Sequence, residues 1–180
     1  MPVDNIDEKI NEKLDDELAI PSGLTGSIAV PDADAVVSVW ARLPGISQVQ
    51  GKIISTHFSV ADVVCGRVTP AQLAALRTAT GRAPHPRALA SLRALSLQNE
   101  VSDVAIRVVS GLRGVTPATA ELLLRAVGGL RRLVAEDGAA ALAAVQLPRG
   151  AGVARLGAAR ADRFRRILSF REGGATPSGC

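Results

Sequence analysis

A mainly α-helical fold is what this sequence predicts, with two facing helical hairpins in residues 99–171 behind a small α/β or α region. Three observations carry that expectation. Apolar residues make up 47% of the chain and aromatic ones only 2%, so the core must be built from Ala, Val, Leu and Ile, which suit close-packed helices. Thr69-Pro70 and Thr116-Pro117 each offer a side-chain cap followed by proline at the first helical position. A pattern of apolar residues and tight turns also repeats at an offset of 41 residues.

Taken in order, residues 4–19 place Ile6, Ile10, Leu14 and Leu18 four apart, one apolar stripe on a short, heavily charged helix. Pro21, Ser22 and Gly23 end this acidic leader. Residues 24–98 read as the small α/β or α region: 36–43 suits a strand or a helix turn, and 52–60 looks like a strand by its β-branched content. A helix from Pro70 is expected to run to about Thr80, and another to carry Leu89, Leu92, Leu95 and Leu97. The domain boundary is placed near Asn99. Beyond it, Ser102 caps one helix, Thr116-Pro117 opens a second that Gly128-Gly129 breaks, and two short apolar segments follow. Residues 149–152 are expected as a loop, Ala158–Phe170 as an amphipathic helix, and 172–180 as a disordered tail.

In the repeat, Leu112-x-Gly114-Val115-Thr116-x-x-x-Ala120 aligns with Val153-x-Arg155-Leu156-Gly157-x-x-x-Ala161. Each copy reverses the backbone at a turn where glycine tolerates positive φ, then starts a helix whose first N–H groups lack intrahelical partners. Those donors and the positive end of the helix dipole make an anion site, so a phosphate can sit there without a base being read. The expected contact residues are Arg113, Gly114, Val115 and Thr116 in the first turn. In the second they are Arg149, Gly150, Gly152, Arg155, Gly157, Ala158 and Arg160. Ala120 and Ala161 are small enough to let the helices of each hairpin pack closely. The same turns would also serve a module that only packs against protein, since an anion site need not be used.

Charge agrees with a polyanion partner. Residues 1–50 carry a net −6 and residues 51–180 a net +10, the latter almost wholly from arginine, whose planar fork of donors suits phosphate. With one Trp, three Phe and no Tyr, the chain lacks the rings of a single-strand stacking platform, which favours duplex or branched DNA.

The two turns resemble the helix-hairpin-helix motif, apolar-x-Gly-apolar-Gly-x-x-x-Ala, with Thr116 and Arg155 standing where a glycine is usual. The tandem arrangement over residues 100–171 is similar to the C-terminal region of XPF-type structure-specific endonucleases. Within that family it looks like the non-catalytic subunit of the crossover-junction enzyme, through Pro148-Arg149-Gly150-Ala151-Gly152-Val153 leading into Arg155-Leu156-Gly157. The resemblance implies a heterodimer with a catalytic subunit, DNA repair or recombination, and a nuclear location if the source is eukaryotic. It also implies magnesium chemistry in the partner alone. The family's metal-binding Gly-Asp…Glu-Arg-Lys…Asp signature is missing, Asp62 being the only acid between Asp34 and Glu100. Residues 24–98 would then be a shortened, inactive relative of the nuclease fold. A stand-alone DNA-binding module and a protein-interaction module remain the alternatives.

Other classes find little support. Cys65, Cys180, His57 and His85 are too scattered for a zinc site and are expected to be unpaired and incidental. Ser, His and acidic residues show no nucleophile-and-base spacing, and no cofactor is expected in this chain. No apolar run approaches a membrane span, and the acidic start is unlike a signal peptide, so an intracellular protein is expected.

Overall fold

The computed structural model describes residues 33–97, 101–149 and 152–172, with Arg149 described by its backbone. The acidic leader, the proposed boundary at Asn99, Gly150, Cys180 and the tail beyond Glu172 lie outside the described residues.

The described chain is mainly helical. The first five helices are α1 (Ala33–Ala41), α2 (Gln48–His57), α3 (Val60–Val64), α4 (Pro70–Ala75) and α5 (Pro86–Ser96). They are followed by α6 (Asp103–Ser110), α7 (Pro117–Val127), α8 (Leu130–Val134) and α9 (Gly138–Ala143). A two-stranded antiparallel hairpin, β1 (Gln146–Arg149) and β2 (Gly152–Arg155), leads into α10 (Ala158–Ser169). No helix among the described residues is long and apolar enough to cross a membrane.

Local chemistry explains where the early helices start. Ser47, Ser59 and Thr69 each build a reciprocal capping box, with Gln50, Asp62 and Gln72 respectively, so α2, α3 and α4 begin at defined residues. This overrides the strand reading of 52–60. Ile53, Ile54 and Thr56 sit in α2 although they are β-branched. The hydroxyls of Ser55 and Thr56 donate to the carbonyls of Lys52 and Ile53 at 2.8 and 2.7 Å, contacts that helical backbone brings within reach. Residues 33–41 are likewise helical, so no strand occurs in 33–97 and nothing there has the sheet of an α/β nuclease fold.

Three further expectations need correction. The helix from Pro70 ends at Ala75 because Leu76 turns extended to bury its side chain, and Arg77 Nη1 donates to the carbonyls of Ala74 and Leu76. Of the expected loop at 149–152, the two outer residues are strand: Arg149 ends β1 and pairs with Gly152 at the start of β2. Pro148 is tolerated because a two-stranded sheet consists only of edges. Cys65 is not free, contrary to the expectation of an unpaired thiol.

One continuous aliphatic core runs through the described chain, with Trp40, Leu92, Leu123, Leu130 and Leu168 all fully buried. α1 packs on α2, α6 on α7, and α10 on α9, while α1 also touches α6 and α10. The hairpins therefore rest on a shared hydrophobic base, with their turns at its surface.

Candidate nucleic-acid interface

The turn between α6 and α7 is built as the sequence predicts. Leu112 and Val115 point into the core, 1% and 7% exposed, and pin the backbone on either side of Gly114. Val115 N–H donates to the Leu112 carbonyl at 3.1 Å, which closes the turn and forces Gly114 to φ +75°. Thr116 caps α7, its hydroxyl accepting from Thr119 N–H at 3.2 Å. Ala120, fully buried one turn in, allows α7 to lie close on α6. Arg113, Gly114 and Thr116 remain exposed at the tip.

The second turn reaches the same end by other means. Leu156 and Gly157 N–H groups donate to the carbonyls of Val145 and Ala143 at 2.9 and 3.2 Å, so the strand end is tied to α9. Gly157 adopts φ +82° and ψ 153° and begins α10 with no side chain capping it. The leading N–H groups of α10, at exposed Ala158, Ala159 and Arg160, thus face outward at the positive end of the helix dipole. Ala161 and Phe164 bury the opposite face.

The structure brings the two turns together. Arg160 Nη2 donates to the Gly114 carbonyl at 3.3 Å, and its guanidinium lies 5.5 Å from the Phe164 ring centre. Among the described residues, no carboxylate comes within ion-pair distance of Arg113, Arg155 or Arg160, whereas Arg125 is held by Glu121 at 2.7 Å. Among the described residues, these three guanidinium groups are therefore not neutralised by acidic neighbours. Arg155 ends β2, paired with Gln146, and Gly152 opens it; both are exposed. Arg149 is placed only through its backbone pairing, and Gly150 lies outside the described residues. Val115 is buried, so it supports the turn rather than presenting a side chain.

One feature of the first half went unread in the sequence. Leu43-Pro44-Gly45-Ile46-Ser47 forms a third turn of the same kind between α1 and α2, with Gly45 at φ +83°. The signal was present: Leu43-x-Gly45-Ile46-Ser47-x-x-x-Gly51 has the spacing of Leu112 to Ala120.

No group of three or more His, Cys, Asp or Glu side chains converges among the described residues.

The chain is similar to proteins named ERCC4 domain-containing protein EP364R from African swine fever virus. Those of isolate Pig/Kenya/KEN-50/1950 and of strain Badajoz 1971 Vero-adapted are each 26% identical to it over 151 residues, covering 84% of this chain and 39% of theirs. The chain accordingly spans about 39% of the length of these curated relatives. No family model matches the sequence, and no solved structure matches it.

Proposed function

We propose that this chain is a non-catalytic, DNA-binding module of a structure-specific endonuclease system of the XPF (ERCC4) type, acting in DNA repair or recombination. It grips the phosphate backbone of duplex or branched DNA through the α6–α7 turn and the start of α10, without reading sequence. The observation that carries this reading is the Arg160–Gly114 bridge. It sets an uncapped helix N-terminus and an exposed positive-φ turn side by side, with Arg113 and Arg155 as further cations nearby in sequence. Similarity to proteins bearing the ERCC4 name supports the nuclease context.

Cleavage belongs to a catalytic partner that supplies the metal-binding carboxylates, since the described residues do not bring such a set together. In a eukaryotic cell the site of action is the nucleus.

Binding to a labelled fork or four-way junction, compared with a matched linear duplex over a salt series, tests the proposal. Affinity that falls steeply with salt and is tighter for the branched DNA is the expected result. Absence of binding at low salt would show that the turns serve only protein packing.

A further inference from the structure

The two halves of the described chain repeat each other more closely than the 41-residue repeat suggests. α1 to α5 and α6 to α10 follow in the same order, the β-hairpin standing where the first half has only a turn closed by Thr78 N–H on the Arg82 carbonyl. At an offset of 69 residues the hydrogen bonds coincide. Leu43 N–H donates to Trp40 O at 3.0 Å and Leu112 N–H to Val109 O at 3.1 Å. Ile46 N–H donates to Leu43 O, and Val115 N–H to Leu112 O, both at 3.1 Å. Gly51 N–H to Ser47 O and Ala120 N–H to Thr116 O are both 2.8 Å. The buried pair Leu73 and Leu76 recurs as Leu142 and Val145. In each half a side chain of the closing helix bonds a carbonyl of its own turn, Ser91 Oγ to Pro44 and Arg160 Nη2 to Gly114.

Apart from α10 on α3, the larger contacts between helices of the two halves are reciprocal. α1 meets its counterpart α6, and α3 meets its counterpart α8. α5 rests on α6 while α10 rests on α1, which is the same contact with the halves exchanged. Self-matching and exchanged contacts of this kind define an isologous, twofold interface. At its centre, a Cβ added to Gly111 would lie 2.6 Å from Val39 Cα and 3.0 Å from Ser38 O, both backbone atoms of the other half.

We propose that the chain is a pseudo-dimer fused into one polypeptide, in which residues 33–97 act as the partner subunit of residues 101–172. The twofold face is closed within one molecule, so the module works as a monomer and a second copy or a similar hairpin subunit does not pair on it. A nuclease partner must attach elsewhere. This inference stands on the repeat and the packing, and it does not depend on DNA binding.

The full chain is tested by sedimentation equilibrium together with thermal melting followed through Trp40. The wild type should sediment as a monomer of 18.6 kDa at all concentrations. Gly111 has ordinary right-handed helical angles, φ −72° and ψ −17°, so in a lone hairpin unit Gly111→Ala would raise the melting midpoint. Closure on Val39 reverses that sign, and a lower midpoint is expected. Gly111→Leu should go further and lower the midpoint more, because a larger side chain meets the same backbone atoms of the other half. A wild-type dimer, or a raised midpoint for Gly111→Ala, would overturn the proposal. The alanine variant keeps the test decisive if the leucine variant fails to fold.

Discussion

Arg160 and Gly114 lie 46 residues apart in sequence, yet the guanidinium of one donates to the backbone carbonyl of the other at 3.3 Å. Both residues are exposed, so the bond links two turns at the surface without anchoring the core. A neutral variant separates its roles. Arg160→Gln should leave stability within about 0.5 kcal/mol of wild type, as is usual for exposed positions. If Arg160 contacts phosphate, the same change weakens binding to every duplex alike and lowers the salt slope by about 1. Fluorescence anisotropy over a salt series, beside a melt, reads both.

Gly114 itself is held in the left-handed region by the buried pair Leu112 and Val115. A side chain there meets only the far end of Arg160, 3.1 Å from the added Cβ, which can swing away. Backbone strain therefore outweighs crowding. Gly114→Val should cost about 1–2 kcal/mol, and more if the β-branch adds to the strain. At a shift of about 2–4 °C per kcal/mol for a chain of this size, calorimetry resolves it. An unchanged melting point would mean that the turn rearranges freely.

Gly157 poses the same question with the crowding removed, since nothing lies within 4 Å of an added Cβ. Its φ of +82° and ψ of 153° fall in a region occupied almost only by glycine. Gly157→Ala should therefore destabilise by about 1–3 kcal/mol although the space is open. A neutral result in denaturant titration would assign the positive φ to the chain's convenience rather than to the fold.

The contrast between the two halves shows what was legible. Thr116-Pro117, the glycine pair at 128–129 and the spacing from Leu112 to Ala120 all point to one structure, and the second half follows them. In the first half the same turn pattern from Leu43 to Gly51 competed with the β-branched run Ile53, Ile54 and Thr56. Composition suggested a strand there, but the Ser47–Gln50 capping box and burial of Ile54 against the core decided for helix. The β-hairpin was hidden for another reason. Pro148 and two glycines read as loop, and only pairing of Gln146 with Arg155 makes strands of the segment. Among the expected contact residues, the backbone character of the turns was readable from glycine and Thr116. That Arg160 would close on Gly114 was not, because it depends on how the second turn sits beside the first.

Two capping boxes of the same design make the energetic role of burial measurable. Ser59 is fully buried, and its backbone N–H and hydroxyl both donate to Asp62 Oδ2 at 3.0 and 2.8 Å, while Asp62 N–H returns to Ser59 Oγ at 3.0 Å. Thr69 and Gln72 make the equivalent bonds at the surface, where water replaces any that are lost. Thr69→Ala should thus cost about 1 kcal/mol, the ordinary value for a lost cap. Ser59→Ala removes a donor from a buried carboxylate and an acceptor from a buried N–H. It should cost about 2–3 kcal/mol, because groups left unsatisfied out of reach of water bear their full desolvation penalty. Urea unfolding of both variants, monitored by the single buried Trp40, gives the comparison directly. Equal losses would show that water reaches Ser59 and that the base of α3 is less closed than its burial indicates.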